Sequence, residues 1–200
     1  GEGPRVAFEP VSLETLVDSP VLAGAHLEVT PLGSLHGAPV AIAVAAETQA
    51  EGKLQPAELT ALKRLVAEEA ALYGARHFDR YLFLLTISDE LPSFGLEHHQ
   101  SSDDRLPGQA LVEPELARAD VVQLLAHEST HSWNGKYRRP KGLATPDFQA
   151  PIRSELLWVY EGLTQYLGGV LTGRSGAWDA VAVRESLALT AERQRQRRGR

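Results

Sequence analysis

Apolar residues change their spacing several times along the chain, and each change marks an element. Pro39-Val-Ala-Ile-Ala-Val-Ala-Ala46 and Arg80-Tyr-Leu-Phe-Leu-Leu-Thr-Ile87 are short, nearly unbroken apolar runs, the pattern of buried strands. Between them Leu59, Leu62, Leu65, Val66, Leu72 and Tyr73 recur at helical spacing, with Pro56 at the start and Gly74 at the end. Helical patterns also run from about Ala119 through Trp133 and from Ser154 to about Leu171. The second of these places Leu156, Val159, Leu163, Tyr166, Leu167 and Val170 on one face. A last helix is expected from Trp178 toward the basic end. Leu91 to Ser102 mixes extended propensity with polar groups, and Asp103 to Gly108 reads as a polar loop. Residues 1–39, with Pro4, Pro10, Pro20, Pro31 and Pro39, read as a linker or edge segment with short extended pieces. Ser12 to Val17 forms one helical turn there, stopped by Asp18-Ser19-Pro20. The pattern predicts an α+β domain over residues 40–200.

Composition narrows the function classes. Two hundred residues, 43% of them hydrophobic, suit one folded domain rather than a disordered chain. No apolar run approaches the ~20 residues of a membrane-spanning helix. A formal charge of -6 argues against a nucleic-acid partner. The run of arginines from Arg193 to Arg200 reads as a solvated helix terminus rather than an anion-binding tail. With no cysteine, disulfides and thiolate metal sites are excluded, so any metal must sit on His, Asp or Glu. The chain opens on Gly1 and has no Met, which reads as a piece of something longer.

The chemistry concentrates in His127-Glu128-Ser129-Thr130-His131. In a helix, residues four apart share a face, so both imidazoles can reach one cation. Glu128 then stands beside the open coordination position, placed to take a proton from water. Chance would supply about 0.02 such motifs in a chain of this composition. A catalytic zinc usually has three protein ligands. The best third ligand is Glu161, a charged residue near the start of a largely apolar helix, where burial unpaired would be costly. Its other reading is a first-turn acid favoured by the helix dipole.

These motifs, with their flanks, resemble the glycyl aminopeptidase family of zinc metallopeptidases, of gluzincin type. The resemblance rests on His127-Glu-Ser-Thr-His-Ser-Trp-Asn-Gly-Lys136, Arg138-Arg139-Pro140 and Leu157-Trp-Val-Tyr-Glu-Gly-Leu-Thr164. Gly95-Leu-Glu-His-His-Gln-Ser-Ser102 and Leu16-Val-Asp-Ser-Pro20 are similar to the family's upstream segments, and 29 residues separate His131 from Glu161. The resemblance implies a thermolysin-like zincin domain, a small mixed sheet packed on the helices that carry the ligands. It implies one zinc per chain, an N-terminal β domain before this piece, and in many members a PDZ domain after it. Peptides with a free N-terminus would be the substrates, with Gly or Ala preferred, and some relatives are exported.

By the same resemblance Glu97 binds the substrate's α-amino group, and Gly95 lets the substrate backbone approach. Glu97 could instead pair with a nearby cation. His98 and His99 cannot both face the metal from a strand, because adjacent side chains alternate. Trp133 and Asn134 read as packing and supporting groups at the helix end. Gln165 stands where thermolysin-like enzymes place an Asp that orients a ligand His. Tyr160 and Tyr166 read as packing residues, which leaves the oxyanion donor to chain beyond Arg200. Two imidazoles and a carboxylate also suit cobalt, manganese or nickel. An endopeptidase with the same chemistry, or a silent zinc-stabilised binding module, are the competing readings.

Overall fold

A computed structural model of the chain describes residues 6–113, 117–145, 147 and 149–195. The two apolar runs become neighbouring strands, β2 (Ala38–Ala46) and β3 (Tyr81–Ile87), paired in parallel from Val40↔Tyr81 to Ala46↔Ile87. A parallel pair needs a crossover, and α2 (Pro56–Tyr73) supplies it. Its bounds follow from Pro56 in the first turn and Gly74 in the left-handed conformation at the end. The short α1 (Leu13–Val17) is capped by Ser12, whose hydroxyl accepts from Thr15 N–H.

Two parts of the sheet depart from the sequence reading. The segment read as connecting chain contains β1 (His26–Leu35), which pairs antiparallel with β2 and forms one edge. Asp103 to Leu106, read as part of a polar loop, continue Ser101 and Ser102 into β5 (Ser101–Leu106), parallel to β3 on one side and antiparallel to β4 (Phe94–Glu97) on the other. Pairing along both edges overrides the poor strand propensity of Ser-Ser-Asp-Asp. Ser102 and Asp104 are fully buried, and the Ser102 hydroxyl donates to Asp104 Oδ2 at 2.5 Å. Arg105 lies 4.2 Å over the Phe94 ring. The mixed sheet runs β1-β2-β3-β5-β4, so β4 is the second edge.

The helices that follow are α3 (Val122–His131), α4 (Thr164–Ser175) and α5 (Ala180–Arg195). Wide, π-type turns precede α3 at Ala117–Val121 and α4 at Trp158–Leu163, and a kinked turn, non-helical at Asn134 and Gly135, follows α3 at Ser132–Tyr137. α3 packs against α4, the α2 crossover and the β4–β5 edge. The core joins Ile42 and Val44 of β2, Phe83, Leu85 and Ile87 of β3, Leu62 and Leu65 of α2, Leu125 of α3 and Leu171 of α4. Arg193 and Arg195 close α5; the remainder of the basic run lies outside the described residues.

The face of α4 and its entry turn is the third departure. Tyr160, Thr164, Gly168, Leu171, Thr172 and Ser175 point inward, whereas Leu163 is 42% and Tyr166 57% exposed. Small residues inside let α4 come close to α3: a Cβ at Gly168 would stand 3.2 Å from His127 Cα. A face of Leu and Tyr would hold the two helices apart. No helix among the described residues is long and apolar enough to cross a membrane.

Candidate metal centre and its surroundings

α3 carries His127 and His131 on one face, and their Nε2 atoms meet at 3.1 Å. The entry turn of α4 brings Glu161 to them, with Oε2 3.6 Å from His127 Nε2 and 3.4 Å from His131 Nε2. A tetrahedral cation with bonds of about 2.05 Å needs donors about 3.3 Å apart, so this spacing fits a single metal. A carboxylate oxygen of Glu128 and the two ring nitrogens lie within 4.8 Å of one another. Burial pulls both imidazoles below their ordinary pKa, which keeps their nitrogens free to coordinate, and burial raises Glu161.

Glu128 faces the sheet. It is almost fully buried, and a Cβ on Gly95 of β4 would collide with its carboxylate and with Leu124. The open space above Gly95 is thus the seat of Glu128. Burial, with the nearby charges of Asp104, Glu97 and Glu161, pushes Glu128 up to about 9 in the metal-free chain. Three further acids, Glu58, Glu69 and Asp104, lie in the interior. Glu69 of α2 pairs with the Ser129 hydroxyl and is raised to about 8 by burial. Asp104 is likewise raised to about 8 by burial.

Glu97 is at the end of β4, on the exposed edge of the sheet. The Tyr160 hydroxyl donates to its Oε1. Burial would raise Glu97, but the Tyr160 hydrogen bond and the charges of His131 and Lys136 outweigh it and hold the carboxylate below its usual range. Tyr160 was expected in packing. Its ring does pack, 4.6 Å from the His131 ring, yet its hydroxyl joins the site. Nothing in the helical periodicity signals this, because it depends on the meeting of a strand edge and a helix start that lie 63 residues apart.

Support for the candidate ligands comes from residues other than Gln165, which is exposed. His131 Nδ1 lies 3.3 Å from both the Asn134 carbonyl and the Thr164 hydroxyl. Asn134 Nδ2 donates to the carbonyls of Val159 and Tyr160 and to Thr164, binding the end of α3 to the start of α4. Trp133 stacks on Tyr73 at 4.1 Å. His98 and His99 lie just beyond the end of β4, so strand alternation does not govern them, and both turn to Asp18. Asp18 also accepts from His99 N–H and from Lys136. Burial opposes ionisation there, but these hydrogen bonds and the lysine charge hold Asp18 well below the usual carboxylate range.

No curated protein matches the sequence. Among solved structures, an aminopeptidase N family protein from Idiomarina loihiensis is similar over 76% of this chain, with a TM-score of 0.63 and 24% identity. The chain spans 26% of that protein, and at this identity the likeness shows a shared fold. The sequence model of the M61 glycyl aminopeptidase family matches residues 120–200. Residues 120–200, with His127, Glu128, His131 and Glu161 among them, therefore carry the pattern of the M61 glycyl aminopeptidases, the family that the flanks of those residues resemble.

Proposed function

We propose that this chain is the metal-holding unit of an aminopeptidase that hydrolyses the first peptide bond of substrates with a free N-terminus, on a thermolysin-like arrangement. The observation that carries the reading is the convergence of His127, His131 and Glu161 at 3.1–3.6 Å beside a buried Glu128. These three residues would hold one zinc ion, which when bound supplies Lewis-acid polarisation of the scissile carbonyl and a more acidic water. Glu128, seated on Gly95, takes the proton of the attacking water and delivers it to the leaving amine. The backbone of Gly95 and its neighbours, on the open edge of the sheet, lines the path of the substrate chain. Glu97 receives the α-ammonium group and so fixes the cut at the first peptide bond. A preference for Gly or Ala is carried by the family resemblance alone. A preceding β domain and a following PDZ domain, also family expectations, would complete the parent protein.

Elemental analysis of the purified chain, paired with hydrolysis of Gly- and Ala-p-nitroanilide, tests the reading. One zinc per chain and chelator-sensitive turnover are expected, with N-acetylated substrates left intact. Equal cleavage of acetylated and free substrates would favour an endopeptidase. Zinc without turnover would favour the silent binding module, and failure to take up any metal would overturn the site.

A further inference from the structure

Tyr160 is held at both ends. Its carbonyl accepts from Asn134 Nδ2 and from the Thr164 hydroxyl, and its hydroxyl donates to Glu97. Its ring lies against His131 on one side and backs onto Gly135, where a Cβ would stand 2.8 Å from the ring. The Gly135 backbone blocks retreat, so the phenol is a fixed post rather than a mobile side chain. Glu97, by contrast, ends a four-residue edge strand, and a glutamate there has three rotatable bonds to order.

We propose that Tyr160 is the positioning residue for N-terminal recognition: by occupying Glu97 Oε1 it aims the other carboxylate oxygen at the substrate's α-ammonium group. This rests on the reading of Glu97 as the amine-binding residue. The same phenol touches the ring of His131, so the amine-binding carboxylate is tied to the ligand set through one rigid side chain. The distance from bound amine to scissile carbonyl is then set by Tyr160, and a substrate without the amine leaves the Glu97 charge unpaired.

Calorimetry on the zinc-loaded protein with alanine hydroxamate and propionohydroxamic acid isolates the contribution of the amine, since the two ligands differ only in that group. The wild-type chain is expected to prefer alanine hydroxamate. Tyr160→Phe, which removes one oxygen, and Gly135→Ala, which displaces the ring, should each lower that preference about tenfold. Glu97→Gln should abolish it, and adding Tyr160→Phe to Glu97→Gln should change it no further. A purely structural role would weaken both hydroxamates alike and leave the preference intact. Loss of preference in Glu97→Gln with full preference in Tyr160→Phe would overturn the role of Tyr160 alone. Equal binding of the two hydroxamates by the wild-type chain would overturn the reading of Glu97, and the role of Tyr160 with it.

Discussion

Gly168 of α4 rests on the backbone of His127: a Cβ there would lie 3.2 Å from both the nitrogen and the Cα of that residue. The contact sets the spacing between the helix that carries two imidazoles and the helix whose entry turn carries Glu161. Gly168→Val should push them apart, with overpacking costing about 1–3 kcal/mol of stability. Because the donor atoms shift with the helices, zinc affinity should fall by roughly tenfold or more. Urea unfolding and a competitive zinc titration measure the two effects, and unchanged zinc affinity would refute the link.

Glu128 is neutral at pH 7 in the metal-free chain, since it is raised to about 9. Glu128→Gln therefore swaps one neutral group for another of the same shape, and metal-free stability at pH 7 should change far less than on removal of a buried charge. Peptide hydrolysis should drop by roughly 10²–10⁴, the usual contribution of a positioned proton acceptor, with zinc retained. Loss of zinc in this variant, or full activity, would contradict the role given to Glu128.

Glu69 and Asp104, both raised to about 8, give the stability of the metal-free chain a definite pH dependence. In the unfolded chain these acids ionise near 4, whereas in the fold they keep their protons to about 8. The folded state thus binds more protons between those values, and stability falls as pH rises from about 4 to 8. Each group contributes a slope of at most about 1.4 kcal/mol per pH unit. Glu69→Gln keeps a partner for Ser129 and removes one group's share of the slope. Urea denaturation at several pH values would show a flatter profile in the variant, and an identical slope would count against a neutral Glu69.

Asp18 joins α1 to the turn after β4 and to the end of α3. Its depressed pKa means that this stabilisation is complete above about pH 4 and disappears only in stronger acid. Asp18→Ala should cost about 1–3 kcal/mol at pH 7, because two imidazoles, an N–H and an ammonium lose their acceptor. Amide hydrogen exchange over residues 13–17 should rise in the variant, and protection equal to the wild type would show that α1 is held by other contacts.

Much of this architecture is legible in the sequence wherever burial and local chemistry agree. β2, β3 and α2 are visible because apolar runs are bracketed by Pro56 and Gly74, and the His127–His131 pair because four residues make about one helical turn. β1 is hidden by Pro31 and Gly33, which read as loop residues but flank a bulge in the edge strand. β5 is hidden because its buried positions, Ser102 and Asp104, are polar, with the Ser102 hydroxyl donating to one Asp104 oxygen. The inward face of α4 is hidden because hydrophobicity predicts the opposite side, while close approach to His127 demands Gly168 and its small neighbours. Tyr160, Asn134 and Thr164 are invisible for a different reason: their roles exist only between elements that the chain brings together at the end.

The clasp on Asp18 has a consequence for the order in which the molecule assembles. Its partners lie 80, 81 and 118 residues further along the chain. Contacts of such separation close large loops and gain nothing until both ends are in place, so they belong to the last steps of folding. α1 has no buried residue of its own to dock it earlier. The β4 turn and the end of α3 must already stand side by side before Asp18 can grip them. Closure of α1 is thus a sign that the ground around the candidate metal centre is complete, and its opening is the first local unfolding expected when that ground is disturbed.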